Sequence, residues 1–173
     1  MSETPSNILP DFVLSELYKN HLVIVNEAVS HATDKKVVTN EPEFLGSNHK
    51  NITLIVADRE AVFLNDATLQ FLSAILSACK LNLGDVAIVN HVKHPLSYTA
   101  IKELLSPRYM IAFDVDAKKL QMPFQLPMYQ VQSYDQCTLL FSASLESMMG
   151  NDRDAKLEKS KLWLSLKTMF NIA

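Results

Sequence analysis

Between Asn51 and Asn90 the chain changes its hydrophobic rhythm twice. Ile52 to Ala57 is an almost unbroken apolar run, interrupted only by Thr53, which suits a strand buried on both faces. Asp66 then reads as a helix N-cap, and Leu69, Leu72, Ile75, Leu76 and Cys79 recur at helical spacing. After Leu83-Gly84-Asp85 a second short apolar run, Val86 to Val89, ends at Asn90. Strand, helix and strand in succession make a βαβ unit, whose strands are parallel and whose crossover is right-handed.

The same rhythm continues downstream. His91 to Pro95 is a loop, and a helix from Ser97 is expected, with Tyr98, Ile101, Leu104 and Leu105 on one face and Pro107 as its stop. Tyr109–Phe113 predicts a third strand and Cys137–Phe141 a fourth, with an edge strand near Met128–Gln132 between them. Ser142 to Met149 predicts a serine-capped short helix. The last helix, Asp154–Phe170, is capped by Asn151-Asp152. Leu162, Leu166, Met169 and Phe170 form its stripe, Trp163 widens that stripe into the core, and Lys156, Lys159 and Lys167 face water. The expected architecture is three-layer α/β/α with a mostly parallel central sheet.

Upstream the pattern is different. Leu9, Phe12, Val13 and Leu17 share a face behind Pro10 and Asp11, which predicts a short helix. The stretch from Ser30 to Lys50 is polar and carries Pro42 and Gly46. Residues 1–50 therefore read as an N-terminal helical arm with a connecting loop, and residues 51–173 as a single α/β domain. The apolar arm face must be buried, either on a partner or along the sheet edge of its own domain.

Composition narrows the classes. A chain of 173 residues that is 48% hydrophobic fills one core. A net charge of -3 without a basic stripe in the sequence predicts little direct DNA binding. Cys79 and Cys137 read as reduced core thiols of a cytoplasmic protein. The opening MSETPSNILPDF lacks the charged-then-apolar order of a secretory signal, and no apolar run approaches the ~20 residues of a membrane helix.

Candidate chemistry lies where the parallel strands end, because ligands bind beyond the carboxyl ends of such a sheet. Asp58, Asn90, Asp114 and Ser142 occupy those positions, with Ser144 close by. The alternative is that polar residues end strands because the chain turns there in water. His91 and His94 lie three apart but have no neighbouring Cys, His or carboxylate to complete a zinc set, so no metal is expected. The three glycines form no phosphate loop, Ser142 and Ser144 have no flanking glycines of a nucleophile elbow, and no cofactor is expected.

Two blocks resemble a known family: FLSAILSACKLNLGDVAIVN (Phe71–Asn90) and LLFSASLESMMGNDRDAKLEKSKLWLSLKTMF (Leu139–Phe170). They are similar to the psi subunit family of bacterial DNA polymerase III, clamp-loader accessory proteins with a uracil-DNA glycosylase-like fold. LSELYKNHLVIVNE (Leu14–Glu27) is similar to the leucine-rich N-terminal segment of that family. The resemblance implies a non-enzymatic adaptor in DNA replication. Its arm, with Leu9, Phe12, Val13 and Leu17, would engage clamp-loader subunits, and its domain would hold a chi-like subunit that contacts single-strand binding protein.

Active glycosylases of that superfamily carry a glycine-rich motif after the first strand and a histidine-bearing turn after the last. Here those stretches read Ala57-Asp58-Arg59-Glu60-Ala61-Val62-Phe63, without glycine, and Phe141-Ser142-Ala143-Ser144-Leu145, without histidine or proline. Base cleavage needs a snug pocket and an electrostatic partner for the leaving anion. Asp58, Phe63 and Asn90 are the remaining candidates. If the chain is an enzyme or a nucleotide-binding protein instead, Asp58, Asn90, Asp114 and Ser142 should line a deep pocket with a desolvated carboxylate.

Overall fold

The computed structural model describes residues 43–173. Four parallel strands form the centre of its sheet: β2 (Ile52–Val56), β3 (Val86–Asn90), β4 (Tyr109–Phe113) and β6 (Cys137–Ser142). Two short antiparallel strands close the edges, β1 (Leu45–Gly46) on β3 and β5 (Gln132–Tyr134) on β6. The order across the sheet is β1-β3-β2-β4-β6-β5. The protein is therefore a mixed α/β fold with a six-stranded sheet. The edge strand expected near Met128–Gln132 forms later, at Gln132–Tyr134, where Asp135 and Gln136, both at positive φ, turn the chain into β6. The sheet also reaches back to Leu45, ahead of the start expected at Asn51. Gly46 allows this. Its φ is +111° and a Cβ there would stand 2.1 Å from the Val86 carbonyl oxygen, so only glycine fits this edge.

Period-2 alternation divides the strands between two cores. Ile52, Leu54, Val56, Ile88, Ile111 and Leu140 point to one face, against α1 (Asp66–Ala78), the single turn α3 (Leu145–Met148) and α4 (Arg153–Phe170). Ile55, Val89, Met110, Ala112 and Leu139 point to the other, against α2 (Tyr98–Leu105). The chain lays Val115, Ala117, Leu120 and Met122 on this second face between β4 and β5. Main-chain hydrogen bonds from Lys119 and Leu120 to Asp116 coil that segment, which substitutes for a second helix.

Helix starts follow their side-chain caps. Asn65, one residue before the expected Asp66, accepts from the Thr68 N–H at 2.9 Å, and Asp66 becomes the first helical residue. Ser97, Ser144 and Asp152 cap α2, α3 and α4. Two expected core positions differ. Leu104 is exposed on α2, and Trp163 is 37% exposed on α4. Leu162, Leu166 and Met169 already fill the α4 stripe toward the sheet. Trp163, one position on, is rotated by about 100° and emerges at the rim. Cys79 and Cys137 are buried free thiols. Among the described residues no helix is long and apolar enough to cross a membrane. The expected arm, with Leu9, Phe12, Val13 and Leu17, lies outside the described residues.

Candidate functional site at the strand ends

The connections leaving β2 and β4 run to opposite sides of the sheet, so the switch point of the fold lies between their carboxyl ends. A cleft of about 110 Å3 sits there, lined by Asp58, Leu64, Thr68, Phe113, Asp114 and Ser144 among others. A cavity that binds a drug-sized ligand usually measures ~300–1,000 Å3.

Asp58 is 7% exposed and both oxygens of its carboxylate accept main-chain hydrogen bonds. Oδ1 accepts from the N–H groups of Glu60 and Ala61, both at 2.9 Å, and Oδ2 from the Asn65 N–H at 3.1 Å. Burial alone would raise its pKa. The donors on Ala61, Glu60 and Asn65 and the Lys93 ammonium outweigh burial and hold the carboxyl below its ordinary value. Asn90, fully buried, completes the same loop. Its Oδ1 accepts from the Asp58 and Val92 N–H groups, and its amide nitrogen donates to the carbonyls of Asp58, Ala61 and Val62 at 2.7 to 3.2 Å. These two side chains tie the turn after β2 together, and three of the roughly four lone-pair sites of the Asp58 carboxylate are taken by main-chain donors of that turn.

The other expected residues diverge. Asp114 is exposed at φ +56° on the cleft rim, its N–H given to the Ser142 carbonyl. Ser144 lines the same cleft, but its hydroxyl oxygen is taken by the N–H of Ser147 as the α3 cap. Ser142 opens into a different cleft, about 280 Å3, with Val115, Asp116, Gln125 and Met128. Its hydroxyl donates to the Ala143 carbonyl at 3.3 Å. Phe63 is half-buried and lines neither cleft. Of the expected set, Asp58, Asp114 and Ser144 meet on one cleft, whereas Asn90 is buried beneath the loop and Ser142 opens into the other cleft. His91 buries an Nε2 without a partner while His94 stands 3.9 Å from the Glu43 carboxylate. Among the described residues no cluster of three metal-ligating side chains forms.

Neither a protein-family model nor a curated protein matches this chain.

One residue near the strand ends escaped the sequence pattern. Tyr129, at φ +63°, takes the Ala143 N–H on its hydroxyl oxygen and hydrogen-bonds Glu158 of α4. Its carbonyl accepts from the Ser165 hydroxyl at 2.6 Å and its N–H donates to the Phe141 carbonyl at 2.7 Å. Burial first, and then the Glu158 carboxylate, push its phenol upward in pKa, so it stays a neutral brace between β6 and α4. It sits in an aperiodic segment between Pro127 and β5, so no hydrophobic rhythm marks it.

Proposed function

We propose that this protein is a non-enzymatic adaptor of the DNA polymerase III psi type, built on a uracil-DNA glycosylase-like fold. The fold part is supported by four parallel strands with β2 central, flanked by helices on both faces. The observation that carries the functional part is the state of Asp58. A hydrolytic Asp must present a lone pair to water or substrate within a site that holds the substrate. Three main-chain donors of its own loop engage this one, beside a cleft too small for a nucleoside. The blocks Phe71–Asn90 and Leu139–Phe170 supply the likeness to the psi family. On this reading the partners are clamp-loader subunits and a chi-like subunit, with single-strand binding protein reached indirectly, in the cytoplasm. The rival enzyme would use Asp58, Asn90 and Ser142.

The test is uracil release from a uracil-containing single strand by the purified chain. The adaptor leaves the strand intact. Measurable release that disappears in Asp58→Ala would overturn the reading and restore the glycosylase.

A further inference from the structure

The apolar residues that α4 does not bury are arranged, and the charge around them is one-sided. Leu157 and Leu164 are 52% and 65% exposed and stand seven residues apart, on one line along the helix. Beside them Trp163 forms the lip of a groove of about 250 Å3 between α1 and α4, with Phe71, Ile75 and Leu166 among its walls. Among the described residues its charged lining is Lys159, whose ammonium lies 5.8 Å from the Phe71 ring centre and donates to the Gly150 carbonyl. Helix α4 carries Arg153, Lys156, Lys159, Lys161 and Lys167 against only Asp154 and Glu158, in a chain whose net charge is -3. Glu158 is occupied by Lys161 and Tyr129. Along α1 the only acidic residue is Asp66, at its first position.

We propose that this α4 face and its groove dock an acidic amphipathic helix of a partner protein. The proposal rests on the adaptor reading and gives it a surface. The spacing of Leu157 and Leu164 is the spacing at which two packed helices meet side chains, and a helix laid in a groove is read through such anchors. The half-exposed Trp163 is the residue type that most often dominates such contacts. The lysines choose an acidic partner and reject a basic one. A lipid surface is disfavoured by the concavity beside Trp163, and single-stranded nucleic acid by a groove whose one charged side chain among the described residues is Lys159, in a chain of net charge -3.

Trp163 is the only tryptophan of the chain, so its emission reports the groove directly. The full chain is titrated with a synthetic helical peptide of Leu and Glu at heptad spacing and with its Leu/Lys counterpart. The expected result is a saturable blue shift with the Glu peptide alone, weakened by salt. Leu164→Ser should weaken it about tenfold, the effect expected on losing one apolar anchor from the contact. Lys156→Glu with Lys167→Glu should reverse the preference between the two peptides. Equal response to both peptides, no response, or full binding by Leu164→Ser would overturn the proposal. So would a saturable shift with oligo-dT, with anionic vesicles or on concentrating the protein alone, which would assign the face to nucleic acid, membrane or a second copy. The two readings fail separately. Retention of clamp-loader subunits by Leu164→Ser with Lys156→Glu removes this surface and keeps the adaptor, whereas uracil release removes the adaptor itself.

Discussion

Replacing Asp58 separates a structural carboxylate from a catalytic one. In Asp58→Ala the N–H groups of Glu60, Ala61 and Asn65 lose their acceptor at once. An unsatisfied buried donor costs ~1–3 kcal/mol, and all three sites are only partly buried, so water recovers part of the loss and the total is about 3 kcal/mol. That is a large share of the ~5–15 kcal/mol that holds a domain together. At ~3 °C per kcal/mol for a domain of this size, the melting midpoint should fall by about 10 °C in calorimetry at neutral pH. Asp58→Asn keeps the Oδ1 acceptor but sets an amide against the Asn65 N–H, so it should fall by a smaller amount. The folded carboxyl has a depressed pKa. Its stabilisation is therefore present above the ordinary carboxylate range of about pH 4 and is lost as the pH falls through the lower folded value. The gap between wild type and Asp58→Ala should close below about pH 4. A variant that melts within about 2 °C of the wild type at neutral pH would refute the argument, because catalytic carboxylates commonly can be removed without such a cost.

Two residues of α4 should respond to different degrees. Leu166→Ala removes a buried side chain and should cost ~2–5 kcal/mol, whereas Trp163→Ala, at the rim and 37% exposed, should lower the melting midpoint by less. Gly46→Ala should loosen the β1 edge, seen as faster amide exchange at Ile88, since its Cβ would collide with the Val86 carbonyl. Burial raises both thiols, Cys137 to about 11, so both should resist a thiol reagent in native protein at pH 8 and react together on unfolding. Rapid labelling of either in the folded state would contradict that packing.

The four parallel strands were legible because each is a short apolar run bounded by polar residues, as in Tyr109–Phe113. The faces of the helices were legible in part. Leu162 and Leu166 declare the buried stripe of α4, but hydropathy cannot say where a stripe stops, and Trp163 fell just outside it. The segment Val115–Met122 was unreadable as a packing element because turns, rather than a helical period, bring its apolar residues to the sheet. At the candidate site, position was readable and role was not. The sequence places Asp58 and Asn90 at strand ends, yet only the hydrogen bonds show that Asp58 braces residues 60–65 and that Asn90 ties that loop to Val92. Ser142 and Ser144 are two apart in sequence but open into different clefts, since Ser142 ends β6 and Ser144 already caps α3.

The most direct measurement is co-elution. The full chain, expressed together with the clamp-loader ATPase subunits and the chi-like subunit of its own host, is passed over a sizing column with mass identification of each peak. The adaptor account predicts one stoichiometric complex containing this chain, stable to dilution and without uracil-releasing activity. Separate elution of the chain from every clamp-loader component, together with turnover of a uracil-containing strand, would contradict it.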